Sequence, residues 1–199
     1  MYQFIETICY ENGCFQRIRL HNERCNRTRN HFFGCLPPLD LGLFLSVPIH
    51  LVSEKVKCTV TYGADIENIE YALYKIKPIG SLQMVYDDTI DYDFKFADRL
   101  KLSELVQKKG QCDDILIIKN GLISDTSYAN ALFLRGGRWY SQQNPLLKGT
   151  RLESYLQTKM ITPFLIRPKD LSLFSEIRII NAMISIEDSP VIPVTRIFP

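Results

Sequence analysis

The chain has 199 residues, of which 46% are hydrophobic and 23% charged, and its formal net charge is +2. This is the composition of a globular protein of one or two small domains with an ordinary core. It lacks the broad positive footprint of a nucleic-acid binder and has no apolar run of membrane-spanning length. The six cysteines, Cys9, Cys14, Cys25, Cys35, Cys58 and Cys112, form no C-x-x-C pair. His21, His31 and His50 are scattered, so no zinc-type spacing is present. Reduced core cysteines in a cytoplasmic setting are expected. The first residues alternate like a strand and lack the basic start and apolar run of a signal peptide.

Residues 4–11 and 14–20 read as β-like runs around Asn12-Gly13, a dipeptide that suits a type I′ hairpin turn. Residues 21–33 read as a helix stopped by Gly34. An apolar connection from Pro37-Pro38 to Val47-Pro48 leads to two more strands, 55–62 and 69–76, around Gly63-Ala64-Asp65. Pro78, Gly80 and the Asp87-Asp88 cluster mark a domain boundary, which divides the chain into residues 1–86 and 87–199. Beyond it, Tyr92, Phe94 and Phe96 fall on one side of a strand, and Asp91, Asp93 and Lys95 on the other. Residues 98–109 form a helix with Leu102, Leu105 and Val106 inward and Gly110 as the stop. A buried-looking strand at 114–119 turns through Asn120-Gly121 into Leu122-Ile123. Strands follow at 131–134 and Trp139-Tyr140, then a helix at 151–160, a strand at 164–167, a short helix at 169–175 and a strand at 177–183. Strands alternating with helices predict a mixed α+β architecture, with a small N-terminal α/β domain and a C-terminal α/β domain.

Three places carry possible chemistry. Lys95 lies between two aromatics just before a helix, and a lysine in a partly dry pocket has the lowered proton affinity that Schiff-base chemistry requires. Read alone, the segment favours a solvated lysine on the polar face of a strand. Asp125 follows a strand in Ser124-Asp125-Thr126-Ser127-Tyr128-Ala129-Asn130, where a carboxylate could keep a pyridine nitrogen protonated. An Asp in a Ser/Thr turn is the plain alternative. Arg24 and Gly149-Thr150, just before the 151–160 helix, could hold a phosphate with a guanidinium fork, backbone N–H groups and a helix N-terminus. A surface arginine and a simple helix cap are the plain alternatives. The basic stretch from Arg17 to Arg29 is interrupted by Glu23 and does not make a nucleic-acid patch.

Together these segments resemble the class IV aminotransferase family of pyridoxal-phosphate enzymes (fold type IV), over nearly the whole chain. Glu6-Thr7-Ile8 looks like the family's first strand, and His21-Asn22-Glu23-Arg24 like its H-x-x-R helix. Phe94-Lys95-Phe96-Ala97-Asp98-Arg99 resembles the Schiff-base lysine segment of the short lyase-like members. Residues 120–130 resemble the segment around the ring-nitrogen carboxylate. Pro145-Leu146-Leu147-Lys148-Gly149-Thr150 resembles the phosphate-binding turn, and Ile180-Asn181-Ala182-Met183 a later phosphate-contacting turn. Asp125 stands where members usually carry Glu. Arg151 and Leu152 stand where a small hydroxyl or thiol residue and then Arg are common. The chain is also shorter than typical members, so substrate-gating elements would be trimmed or supplied by a partner subunit.

The resemblance implies a barrel-like C-terminal domain and pyridoxal 5′-phosphate as cofactor, with Lys95 as Schiff-base lysine and catalytic base. The implied cofactor-binding set is Arg24, Lys95, Asp125, Thr126, Asn130, Leu147, Gly149, Thr150 and Asn181. The implied partners are a small-molecule amino substrate and a second copy of the chain in a homodimer, without nucleic acid or membrane. The segment 39–51 and the tail 190–199 are candidate interface pieces. The wording of the Lys95 and Asp125 segments favours a 4-amino-4-deoxychorismate lyase. A branched-chain or D-amino-acid aminotransferase and a non-catalytic pyridoxal-fold binding protein are the alternatives.

Overall fold

The computed structural model describes residues 2–199. The chain folds as two compact units: residues 2–76 with Phe94–Asp98, and Lys77–Asp93 with Arg99–Pro199. The division thus falls after Ile76 rather than after residue 86, and the Lys95 segment belongs to the first unit. The reason is aromatic packing. The Phe94 and Phe96 rings lie 4.9 and 5.8 Å from that of Phe32 in the first unit's core, whereas Tyr92 packs in the second. The expected regular strand over Tyr92, Phe94 and Phe96 is therefore absent. In its place the segment makes an isolated antiparallel bridge, Phe96 to Phe4.

The first unit is a four-stranded sheet covered by one long helix. Strands β1 (Phe4–Glu11), β2 (Cys14–Phe15), β3 (Val56–Tyr62) and β4 (Ile66–Leu73) lie in the order β2-β1-β3-β4, all antiparallel. Asn12 and Gly13 both have positive φ, 54° and 77°, as a type I′ turn requires. The second expected strand stops at Phe15, because Arg17 adopts φ 54° and starts helix α1 (Ile18–Phe33) three residues earlier than read. Gly34, at φ 83°, ends it as expected.

On α1 the buried residues Leu20, His21, Arg24, Cys25, Thr28 and Arg29 recur at helical spacing. They face Phe4, Glu6 and Ile8 of β1 and the alternate residues Val56, Cys58, Val60 and Tyr62 of β3. This face buries three basic side chains. Arg29 is satisfied by the carbonyls of Ala64 and Pro37 and by Asn26 Oδ1, at 2.7, 2.9 and 2.8 Å. The basic stretch thus contains two arginines that are core groups, Arg24 and Arg29.

The second unit is built on a nine-stranded mixed sheet. Its first strand, β5 (Leu82–Tyr86), lies in the stretch read as a boundary. Helix α2 (Leu100–Val106) follows, with Leu102 and Leu105 buried, and a 3-10 turn to Lys109 precedes the stop at Gly110. Strands β6 (Asp114–Lys119), β7 (Leu122–Thr126), β8 (Asn130–Arg135) and β9 (Arg138–Gln142) form an antiparallel meander. β5 is parallel to β6 across α2, as parallel pairs need a crossover. The central residues of β6, Ile115 to Ile118, are apolar and buried on both faces.

Helix α3 (Thr150–Gln157) is followed by Lys159, which turns to φ 57° and leads into β10 (Ile161–Phe164), earlier than the expected 164–167. A 3-10 helix, Pro168–Leu173, replaces the short helix expected at 169–175. β11 (Glu176–Ile180) ends earlier than read, because Asn181 Oδ1 accepts from Met183 N and Ile184 N and closes a turn. β12 (Ile192–Pro193) and β13 (Ile197–Phe198) add pairing with β11 and β5 that the sequence reading missed.

The principal path is β10-β9-β8-β7-β6-β5-β13, with β11 on β8. β7 and β8 share a single registered pair, Asp125 with Asn130. No helix is long and apolar enough to cross a membrane among the described residues.

Candidate active site

In the first unit, Lys95 is held to β1 by its backbone. Ile5 N donates to Lys95 O and Ala97 N to Gln3 O, both at 2.9 Å. Its side chain therefore leaves the sheet on the Thr7 side, and Nζ donates to Thr7 Oγ1 at 3.1 Å. Glu6, the preceding strand residue, points to the opposite face, under α1. There Arg24 grips Glu6 through Nε at 2.7 Å and NH2 at 2.6 Å, and His21 Nδ1 lies 2.6 Å from Glu6 Oε2. All three are buried. Burial alone would raise the Glu6 carboxyl, but the Arg24 guanidinium and the His21 hydrogen bond outweigh it and hold the group at about 2. Burial depresses His21 below the ordinary imidazole value. The motif that suggested a phosphate arginine thus also builds a buried ion pair, and Arg24 and Lys95 lie on opposite faces of one sheet.

In the second unit the single β7–β8 pair lets the two strands part, and the Asp125 carboxylate occupies the place where they diverge. Asn130 Nδ2 donates to Asp125 Oδ1 at 2.8 Å, Gln142 Nε2 donates to the same oxygen, and Leu147 N donates to Oδ2 at 3.0 Å. Each donor is neutral. Burial pushes the carboxyl from 3.8 up to about 7 against these bonds. Asn130 Nδ2 also donates to Leu147 O at 2.8 Å, so strand, side chain and turn form one scaffold. Gly149 completes it: a Cβ there would stand 2.4 Å from Asn130 Oδ1.

Thr150 is the first residue of α3 and is buried; the first intrahelical bond runs from Glu153 N to Gly149 O. The amides of residues 150–152 therefore lie at the positive end of the helix, the arrangement that favours an anion. Arg151 turns the other way, donating to Asn181 O at 2.8 Å and Ala182 O at 3.2 Å. It ties the expected late turn to α3 through main-chain oxygens. Thr126 Oγ1 is spent inside its own hairpin, donating to Ala129 O at 3.1 Å and accepting from Ala129 N at 3.2 Å.

Asp125, Asn130, Leu147 and Gly149 are thus brought together, Thr150 follows directly, and Asn181 is linked through Arg151. Lys95 and Arg24 belong to the other unit.

No family model matches the chain. An uncharacterised protein of Haemophilus influenzae Rd is 38% identical over 185 residues, covering 92% of this chain and 98% of that one. A solved structure from Haemophilus somnus 129PT, provisionally described as a 4-amino-4-deoxychorismate lyase, is 32% identical with a TM-score of 0.86, covering 92% of this chain and 97% of that one. The chain belongs to the class IV aminotransferase family of pyridoxal-phosphate enzymes. The pyridoxal-phosphate-bound form of a hypothetical aminotransferase from Mycobacterium tuberculosis has the same fold, at 11% identity and a TM-score of 0.74, covering 96% of this chain and 80% of that one.

Four side chains with a role in these two clusters escaped the sequence reading: Glu6, Thr7 and His21 in the first unit and Gln142 in the second. Glu6 had a usable signal. It sits between Phe4 and Ile8 on the inward face of an alternating strand, where a carboxylate requires a buried cation. His21 and Arg24, three apart on a helix, could have been named as its partners. Gln142 had none, since it follows the Trp139-Tyr140 strand in an ordinary polar run.

Proposed function

We propose that this chain is a pyridoxal-phosphate enzyme acting on an amino substrate, and that its reaction is the elimination of pyruvate from 4-amino-4-deoxychorismate to leave 4-aminobenzoate. The observation that carries the cofactor is Asp125. A fully buried carboxylate held by neutral donors alone is short of a positive partner, and a protonated ring nitrogen supplies one. The Gly149-Thr150 start of α3 suits the phosphate. Likeness to the Haemophilus somnus protein favours the lyase over a transaminase.

Pyridoxal phosphate, when bound, supplies an electron-accepting ring conjugated with the substrate amine. Lys95 would hold the cofactor through Nζ and, once freed, would serve as the base at the substrate Cα. Asp125 would keep the ring nitrogen protonated. Thr126, Asn130 and Leu147 support that carboxylate directly or through the hairpin. Gly149, Thr150 and the helix end would bind the phosphate, and Asn181 would contribute through the turn that Arg151 anchors, whereas the Arg24 guanidinium is taken by Glu6 in the first unit's core.

We also propose a homodimer in the cytoplasm. The segment 39–51 exposes Leu43 at 82% and Ile49 at 85%, and all six cysteines are free thiols. Light scattering tests the dimer.

The cofactor reading is tested by absorbance after addition of pyridoxal phosphate, then borohydride reduction and peptide mapping, which should label Lys95. Aminodeoxychorismate should then yield pyruvate and 4-aminobenzoate without a keto acid. A requirement for 2-oxoglutarate would replace lyase by transaminase. Absence of the absorbance band would favour a binding protein on the same fold. Full turnover by Lys95→Ala would end the catalytic assignment.

A further inference from the structure

Gln142 is the last residue of β9 and lies against Asp125. It is 2% exposed, and its own Oε1 is buried without a hydrogen-bond partner. An orphaned buried acceptor destabilises a fold, so the amide is not placed to satisfy itself. With the amide reversed, Oε1 would face a carboxylate oxygen, acceptor against acceptor. The orientation with NH2 toward Asp125 is the one that an ionised carboxylate selects.

The other donors have further duties. Asn130 also bonds Leu147 O and abuts Gly149, and Leu147 N belongs to the turn itself. The Gln142 amide donates to the carboxylate alone.

We propose that Gln142 is a positioning residue for Asp125, holding the charged carboxylate in the orientation in which it meets the cofactor's ring nitrogen. This rests on the cofactor reading of Asp125 given above.

The charged groups on the surrounding elements are engaged elsewhere. Asp114 on β6 accepts from Ser127 N at 3.4 Å, and Arg99 donates to Ser127 O. Lys148 pairs with Glu153, and Arg151 donates to the carbonyls of Asn181 and Ala182. Regulation of the Asp125 charge is therefore left to neutral donors, of which Gln142 is the one without a second structural task. The rise of the carboxyl to about 7 places its titration within reach of solution measurement.

The test is a carbon-13 NMR titration of Asp125 in cofactor-free protein labelled at aspartate side-chain carboxyls, comparing wild type with Gln142→Leu. Leucine keeps the bulk and removes both the donor and the orphaned oxygen. Loss of one hydrogen bond to a charged group should raise the Asp125 midpoint by about one pH unit. Pyridoxal phosphate, titrated by absorbance, should bind roughly tenfold more weakly to the variant.

An unchanged carboxyl midpoint overturns the proposal, as does a shifted midpoint with cofactor affinity unchanged. If Gln142→Leu does not fold, the wild-type protein suffices. The Gln142 side-chain amide resonances should titrate with the Asp125 carboxyl, and amide resonances indifferent to that titration overturn the proposal. Wild-type protein that takes up no cofactor overturns the proposed function, and with it the ring-nitrogen part of this one. The carboxyl titration reads the Gln142–Asp125 coupling independently.

Discussion

Replacing Asp125 by Asn should remove a pH-dependent cost from the cofactor-free protein. Burial lifts this carboxyl from 3.8 to about 7, against the pull of donors from Leu147, Asn130 and Gln142. An acid whose folded pKa lies above its unfolded value holds its proton more tightly when folded. Its contribution to stability is therefore complete below about pH 4 and is lost as pH rises through about 7. A rise of this size corresponds to about 4 kcal/mol in all, of which about 3 kcal/mol is lost between pH 5 and pH 8. His21 acts in the other direction: burial depresses its imidazole, so its contribution is present above its unfolded value and is lost as pH falls. The difference between wild type and Asp125→Asn cancels His21. Urea unfolding of both proteins, from about pH 5 to about pH 8, measures that difference. The variant should gain about 3 kcal/mol on wild type across the range. A gap that stays constant with pH would refute the reasoning.

Glu6→Gln leaves Arg24 buried beside a neutral amide and should cost about 3–5 kcal/mol in urea unfolding near neutral pH; a loss below about 1 kcal/mol would contradict a buried pair. The wild-type Glu6 carboxyl is held at about 2 against an ordinary 4.5, so its contribution is present above 4.5 and disappears as pH falls through 2. Circular dichroism across that acid range should find wild type more pH-sensitive than Glu6→Gln. Gly149→Ala pushes a methyl to 2.4 Å from Asn130 Oδ1 and should destabilise by about 1–3 kcal/mol, with a shifted Asn130 side-chain amide resonance. An unshifted resonance would mean that the turn moves instead. Thr126→Val should cost about 1 kcal/mol and speed amide exchange in the 126–129 hairpin, because its hydroxyl serves that hairpin in both directions. Normal exchange there would show the hydroxyl to be dispensable.

What the sequence made legible was mostly local. Asn12-Gly13 announced a hairpin because its backbone preference is nearly independent of context, and Gly34 and Gly110 stopped helices for the same reason. The alternation around Lys95 correctly separated it from Phe94 and Phe96. That Phe94 and Phe96 complete the first unit's core, while Tyr92 does not, depends on Phe32 and Phe4, far earlier in the chain, and no local rule carries it. Helix α1 started early because a non-glycine residue, Arg17, accepted a left-handed conformation. β5 was hidden by its flanks, Pro78, Gly80 and the paired aspartates, which read as a linker although Leu82 and Val85 are buried. At the site, residues in motif-like order were legible. Gln142 was not, since only the folding of β9 past the end of β7 brings it to the carboxylate.

The lone pairing of Asp125 with Asn130 has a mechanical consequence. On one side of it lie β13, β5, β6 and β7, and on the other β8, β9, β10, β11 and β12. Between the halves the main chain contributes that one registered pair and the bonds Thr126 N to Ala129 O and Ile123 N to Ile166 O, at 2.9 and 2.8 Å, so few main-chain bonds resist their separation. The side chains at that rung, with Gln142 and Leu147, lace the halves together beyond the main chain. A molecule seated on this carboxylate would therefore act as a splint, and its binding strength and the sheet's resistance to splitting would rise and fall together.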